Sequence, residues 1–195
     1  MRNIILKATF MSAVCALVVA GMTGCSTTVK SLGSGEDLAA QSTETKPAVV
    51  LGKFRLVKNG EDVPLGNGIF ANNATLHLYC ADSEKEVNAK VGPNGEFAWA
   101  LEPGSYRISN IEFMVRGEPF APATSFEFVA DANNEATYVG TITLVTTWES
   151  GYYGLDGVID SSSIDDDCDS DCAGMLARLD MNQDAATVSL IRAEK

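Results

Sequence analysis

The 195-residue chain is short of the residues that most catalytic and nucleic-acid sites require. It holds one histidine, His77, and 14 basic residues against 26 acidic ones, a formal net charge of −12. A Ser-His-Asp or Cys-His enzyme would have to use that single imidazole. No Gly-x-Ser-x-Gly elbow occurs, and no cysteine sits in an evident nucleophile motif. The acidic surplus repels phosphate backbones, which sets nucleic acid aside as a partner. Carboxylates are too plentiful for any one pair to stand out for glycoside chemistry. A long amphipathic helical pattern and an internal repeat are also missing, and the first of these argues against an α/β architecture.

The N-terminus carries the sharpest signal. Arg2 and Lys7 precede an apolar run, Ala8 to Ala20, without charge or proline, and Gly21 and Gly24 supply small residues near a cleavage point. The run is shorter than the ~20 apolar residues of a membrane span, and polar sequence follows at once. Residues 1–24 therefore read as an export signal. Met22-Thr23-Gly24-Cys25 resembles the lipobox of bacterial lipoproteins, with Met22 where Leu is usual. The resemblance implies cleavage before Cys25, a diacylglycerol on its sulfur and anchorage to a membrane through that lipid. Ser26 after the cysteine implies, by the family's sorting rule, the outer membrane, facing the periplasm or the cell surface. Without residues 1–24 the basic count falls to 14 − 2 = 12 against 26 acids, or −14.

Export also places the chain where disulfides persist. Of five cysteines, Cys15 leaves with the signal and Cys25 would be lipidated, so Cys80, Cys168 and Cys172 remain. Cys168 and Cys172 are four apart, close enough in a helix or turn for a disulfide; a bridge from Cys80 to one of them is the alternative. Three cysteines and one distant histidine are thin for zinc.

Residues 25–47 read as the lipidated cysteine and a tether rich in Ser, Thr, Gly and acids. From Ala48 the pattern alternates with period two, as in half-buried strands. Runs fall at 48–58, 74–81, 86–91, 96–101, 105–115, 124–130 and 136–146, with a break near Asn110. Phe97, Trp99 and Leu101 point one way and Glu96, Ala98 and Ala100 the other. Gly92-Pro93-Asn94-Gly95 predicts a hairpin joining 86–91 to 96–101. A short helix near 173–179 and a last strand at 186–192 follow. Seven short strands with frequent turns predict an all-β antiparallel sandwich over 48–146, with 147–195 an Asp- and Cys-rich extension packed on it.

The stretch Gly95-Glu96-Phe97-Ala98-Trp99-Ala100-Leu101-Glu102-Pro103-Gly104-Ser105-Tyr106-Arg107-Ile108 resembles the carboxypeptidase regulatory-like, transthyretin-like sandwich family. That family repeats Gly, an aromatic, Leu, Pro-Gly and Tyr at this spacing. The resemblance implies a prealbumin-like sandwich of about seven strands used as a non-catalytic module, and says little of function. The insert at 59–74 and the tail after 146 depart from the family's core pattern.

Two constellations could carry chemistry. Asp165, Asp167, Asp169 and Asp171 alternate around the cysteines, and calcium takes several oxygen ligands of this kind. The EF-hand pattern is not met: counted from Asp167, the sixth position is Cys172 and the twelfth Arg178. A non-standard calcium site and a solvated acidic loop both fit the run. Trp148, Tyr152 and Tyr153, among glycines after the seventh run, fit either a platform for a sugar or peptide or caps on the core. The expected role is that of a lipid-anchored envelope protein, not an enzyme, with a structural or protein-binding sandwich. The alternative is a calcium-dependent, carbohydrate or peptide-binding module using 149–184, so the partner would be another envelope protein or a glycan.

Overall fold

The computed structural model describes residues 27–33, 35–41, 46–65, 74–115, 118–151 and 154–193. The signal at 1–24 and Cys25 lie outside them. The period-two runs become strands, and β1 and β3 form outside them, in the expected tether and insert: β1 (Thr27–Val29), β2 (Ala48–Lys58), β3 (Glu61–Val63), β4 (Ala74–Cys80), β5 (Lys85–Lys90), β6 (Glu96–Leu101) and β7 (Gly104–Val115). After these come β8 (Glu118–Phe120), β9 (Ala123–Ala130), β10 (Ala136–Gly151), β11 (Gly154–Asp165), β12 (Ala186–Val188) and β13 (Arg192–Ala193). Two α-helices accompany them, α1 (Gly35–Gln41) and α2 (Cys168–Arg178).

The strands form two sheets. The first runs β1-β5-β4-β7-β9-β13, with β8 beside the end of β7. The second runs β11-β10-β2-β3, with β12 beside β10 and β6 beside β2. Their facing sides share one core. The second sheet contributes Phe54, Phe97, Trp99 and Ile142, and the first Leu76, Leu78, Ile108 and Phe126. Phe97 and Trp99 stack with centroids 3.9 Å apart, and Trp99 Nε1 donates to the Lys90 carbonyl across the sandwich at 2.8 Å.

The all-β sandwich matches the sequence reading, but its sheets are mixed, not antiparallel, and nine of the described strands, β2 to β10, begin within 48–146 where about seven were expected. β10 runs parallel to β2, β12 parallel to β10, and β1 parallel to β5. β2 has one edge taken by its antiparallel neighbours β6 and β3 in succession. Its other edge receives β10, which enters in the same direction.

The expected 86–101 hairpin does not form. β5 pairs with β4 and β1, whereas β6 pairs with β2, so the connection passes from the first sheet to the second. A 3₁₀ turn at Pro93–Gly95 makes the passage, held by the Asn94 N–H on the Leu65 carbonyl at 3.3 Å. Gly95 has φ +81°, and any Cβ there would run into the Phe54 carbonyl oxygen. The turn chemistry was read correctly; the partner of each flanking strand was not, because pairing is set by tertiary packing.

The second sheet is buried on both faces at one end. Val49, Leu51, Ala98, Ala100 and Tyr138 point away from the sandwich core, yet they are buried under Cys172, Met175, Leu176 and Leu179. The acids at the start of α2, Asp169 and Asp171, and Arg178 in its last turn suit the helix dipole. The helix begins five residues before the expected 173. The expected last strand divides: β12 joins the second sheet and β13 the first, with buried Ile191 between them. Within the expected tether, β1 pairs with β5, and buried Leu32 donates its N–H to the Ala98 carbonyl at 2.7 Å.

Leu176 is fully buried in the contact between helix and sheet. Leu176→Ala should cost about 2–4 kcal/mol, read as a lower denaturant midpoint at unchanged slope. Burial raises the phenol pKa of Tyr106, with Cys80 adding to the shift, and burial also raises that of Tyr138. Both phenols stay protonated in the folded chain above the ordinary tyrosine value of about 10. The unfolded chain then releases protons that the folded chain keeps, so stability should fall as pH rises past that value. Chemical unfolding followed from pH 8 to 11 checks the sign.

Candidate functional site

The outer face of the first sheet is where side chains of mixed chemistry gather. Alternation on β4 sends Leu76, Leu78 and Cys80 into the core and Thr75, His77 and Tyr79 outward. Strand register then builds cross-strand rows. Asn88, His77 and Asn110 lie opposite one another on β5, β4 and β7. In the next row Glu86, Tyr79, Arg107 and Glu127 do the same, the last on β9. A third row sets Lys90, Thr75 and Glu112 side by side.

Contacts within the rows are polar. His77 Nε2 lies 3.2 Å from Glu112 Oε2. Lys90 Nζ donates to Thr75 Oγ1 at 2.8 Å. The Arg107 guanidinium sits 5.7 Å from the Tyr79 ring centroid, a cation–π distance. Between the first two rows the ladders slip. The β4–β7 register shifts at His77/Leu78, where Ser109 is the extra residue of a bulge, and the β7–β9 register shifts at Ile108/Asn110, where Thr124 and Ser125 of β9 stand against Ser109 alone. The break read near Asn110 in the sequence is this bulge. A depression of about 230 Å³ opens there. Ser109 Oγ donates to the His77 backbone carbonyl at 3.2 Å, not to the imidazole. A larger cleft of about 650 Å³ lies beside Lys30, Lys90 and Arg178. Two of these charges are engaged, Arg178 with Glu96 and Lys90 with the Thr75 hydroxyl.

The four aspartates read as candidate ligands are spread along the chain. Asp165 ends β11 and accepts from Ser163 Oγ at 3.0 Å. Asp167 precedes α2, and Asp169 lies exposed in its first turn. Asp171 turns to the sheet. Lys53 Nζ donates to its Oδ1 at 3.0 Å and Thr141 Oγ1 to its Oδ2 at 3.2 Å. The Thr141 hydroxyl has a single proton, so the Tyr138 hydroxyl, 3.1 Å away, must donate to Thr141. Among the described residues, no three or more His, Cys, Asp or Glu side chains converge as a metal cage. Asp171 is the carboxylate on α2 that ties the start of the helix to the sheet.

Trp148 is buried. Its Nε1 donates to Thr146 Oγ1 at 2.9 Å, its ring meets Phe120 edge-on at 4.7 Å, and Gly157 lies directly against it. Tyr152 and Tyr153 lie outside the described residues, so of the three only Trp148 is placed, and it packs as a core side chain. Cys168 and Cys172 are bonded within α2, with Cα atoms 4.8 Å apart, and Cys80 is a buried free thiol.

Asp171→Ala should cost about 1–3 kcal/mol, because Lys53 and Thr141 lose their shared partner; a thermal melt reads it. Alkylation of the unreduced, denatured chain should mark Cys80 and leave Cys168 and Cys172 unmodified, and marking of all three would remove the bridge. No family model matches the chain, and the search of curated proteins returns no significant match.

Proposed function

We propose that the chain is a lipid-anchored protein of the bacterial cell envelope, whose sandwich is a non-catalytic module with a structural or protein-binding role. The carrying observation is the N-terminal sequence: a basic start, an apolar run too short to span, and Met22-Thr23-Gly24-Cys25 followed by Ser26. On this reading Cys25 carries the lipid and the domain stands at the outer membrane. Among the described residues no helix is long and apolar enough to cross a membrane.

The non-catalytic reading draws support from His77, which lies against Glu112 while the nearby Ser109 hydroxyl is turned to backbone. The binding role draws support from the asymmetry of the sheets. α2 covers one end of the outer face of the second sheet, whereas among the described residues no helix packs over Tyr79, Arg107 and Asn110 on the outer face of the first. A transthyretin-like, carboxypeptidase regulatory-like ancestry belongs to the same proposal. It rests on Phe97, Trp99 and Leu101 filling the core, the chain turning at Pro103-Gly104, and buried Tyr106 starting the return. The Tyr106 hydroxyl donates to the Glu102 carbonyl at 2.9 Å and braces that corner.

Cells fed a labelled fatty acid should incorporate it into the wild-type chain and not into Cys25→Ser, and the label should fractionate with the outer membrane. Continued labelling of Cys25→Ser would overturn the anchor.

A further inference from the structure

We propose that the depression at the Ser109 bulge binds a neutral sugar residue through its hydroxyl groups. The proposal deepens the binding role given above and does not depend on the lipid anchor.

Three independent observations meet at this place. The first is the bulge itself. It interrupts an otherwise regular sheet in both ladders of β7 at one level, and it opens the depression on the accessible face. Bulges of this kind gather beside sites, where they re-aim side chains.

The second is Asn110. Its Oδ1 is shielded from solvent and has no hydrogen-bond partner among the described residues. A shielded acceptor without a donor bears its desolvation for no return. Turning that amide toward the depression breaks no hydrogen bond at the oxygen, and a donor brought by a ligand would satisfy it.

The third is the balance of the lining. Asn88 and Asn110 each donate and accept, Arg107 only donates, and Glu86 only accepts. An anionic ligand would meet Glu86, and a cationic one would meet Arg107. A sugar hydroxyl both donates and accepts, so the mixed set suits it at every position. The stacking of Arg107 on Tyr79 holds the guanidinium in place before a ligand arrives. The size of the depression suits one sugar ring.

His77 lies in the lining and is the only histidine of the chain, so its imidazole is a unique reporter. The full-length chain in detergent micelles, carrying ¹³C-histidine, is titrated with a β-1,4-linked N-acetylglucosamine tetramer and separately with cellotetraose. The His77 ring resonance should move and saturate with at least one of them. Asn110→Ala should weaken that binding about tenfold or more while melting within about 2 °C of the wild type. Asn88→Ala is the second variant and should weaken it in the same direction. A resonance unmoved by both sugars would overturn the site, as would equal affinity in both variants, or movement only with a charged oligopeptide. Because the readout is local to His77, it is independent of the fatty-acid experiment: labelling without sugar binding removes only this site, and sugar binding without labelling removes only the anchor.

Discussion

β2 and β10 lie side by side in parallel, and the other strands of the second sheet attach to one or the other. The pair must be covered on both faces for Val49, Val50, Leu51, Tyr138 and Val139 all to leave water. The first sheet covers one face and α2 the other. Parallel pairs are found where both faces are buried, and here the need extends the domain past residue 146. Without α2, the apolar side chains on the far face of β2 and β6 would be exposed. The Lys53–Asp171–Thr141–Tyr138 chain fixes where the helix lands, since its polar members sit at the margin of that apolar contact.

Much of the strand pattern was readable because alternation depends only on burial of one face. The 48–58, 96–101 and 105–115 runs match their strands within a residue. The misreadings share one cause. Pro93-Asn94-Gly95 specifies a tight turn, but nothing local tells whether the chain returns along the same sheet or crosses to the opposite one. The same ambiguity hid the division of the last strand, where Ser189 and Ile191 donate to the carbonyls of Tyr138 and Val139 while the chain crosses over. Ala98 and Ala100 read as an outward face because small residues give no sign of a helix packed on them.

The outward set Thr75, His77 and Tyr79 was visible from period two alone, as was the irregularity near Asn110. Their assembly was not. Register across β5, β4 and β7 sets Asn88, His77 and Asn110 in one row, and register is a property of pairing that no single strand encodes. The aspartates drew attention because of their density, whereas their placement follows local rules: Asp169 and Asp171 open a helix that favours negative charge at its start.

β11 is twelve residues long and forms an outer edge of the second sheet. A free edge of that length is a template for pairing with another chain. Its sequence, Gly-Leu-Asp-Gly-Val-Ile-Asp-Ser-Ser-Ser-Ile-Asp, sets Asp156, Asp160 and Asp165 along the edge, with three consecutive serines between the last two. Two copies meeting edge to edge would bring the Asp160 and Asp165 carboxylates together, with Asp166 and Asp167 just beyond. Like charge repeated along an edge disfavours a second copy adding its own strand there, so the same acids that hydrate this half of the chain also guard its open edge against sheet growth.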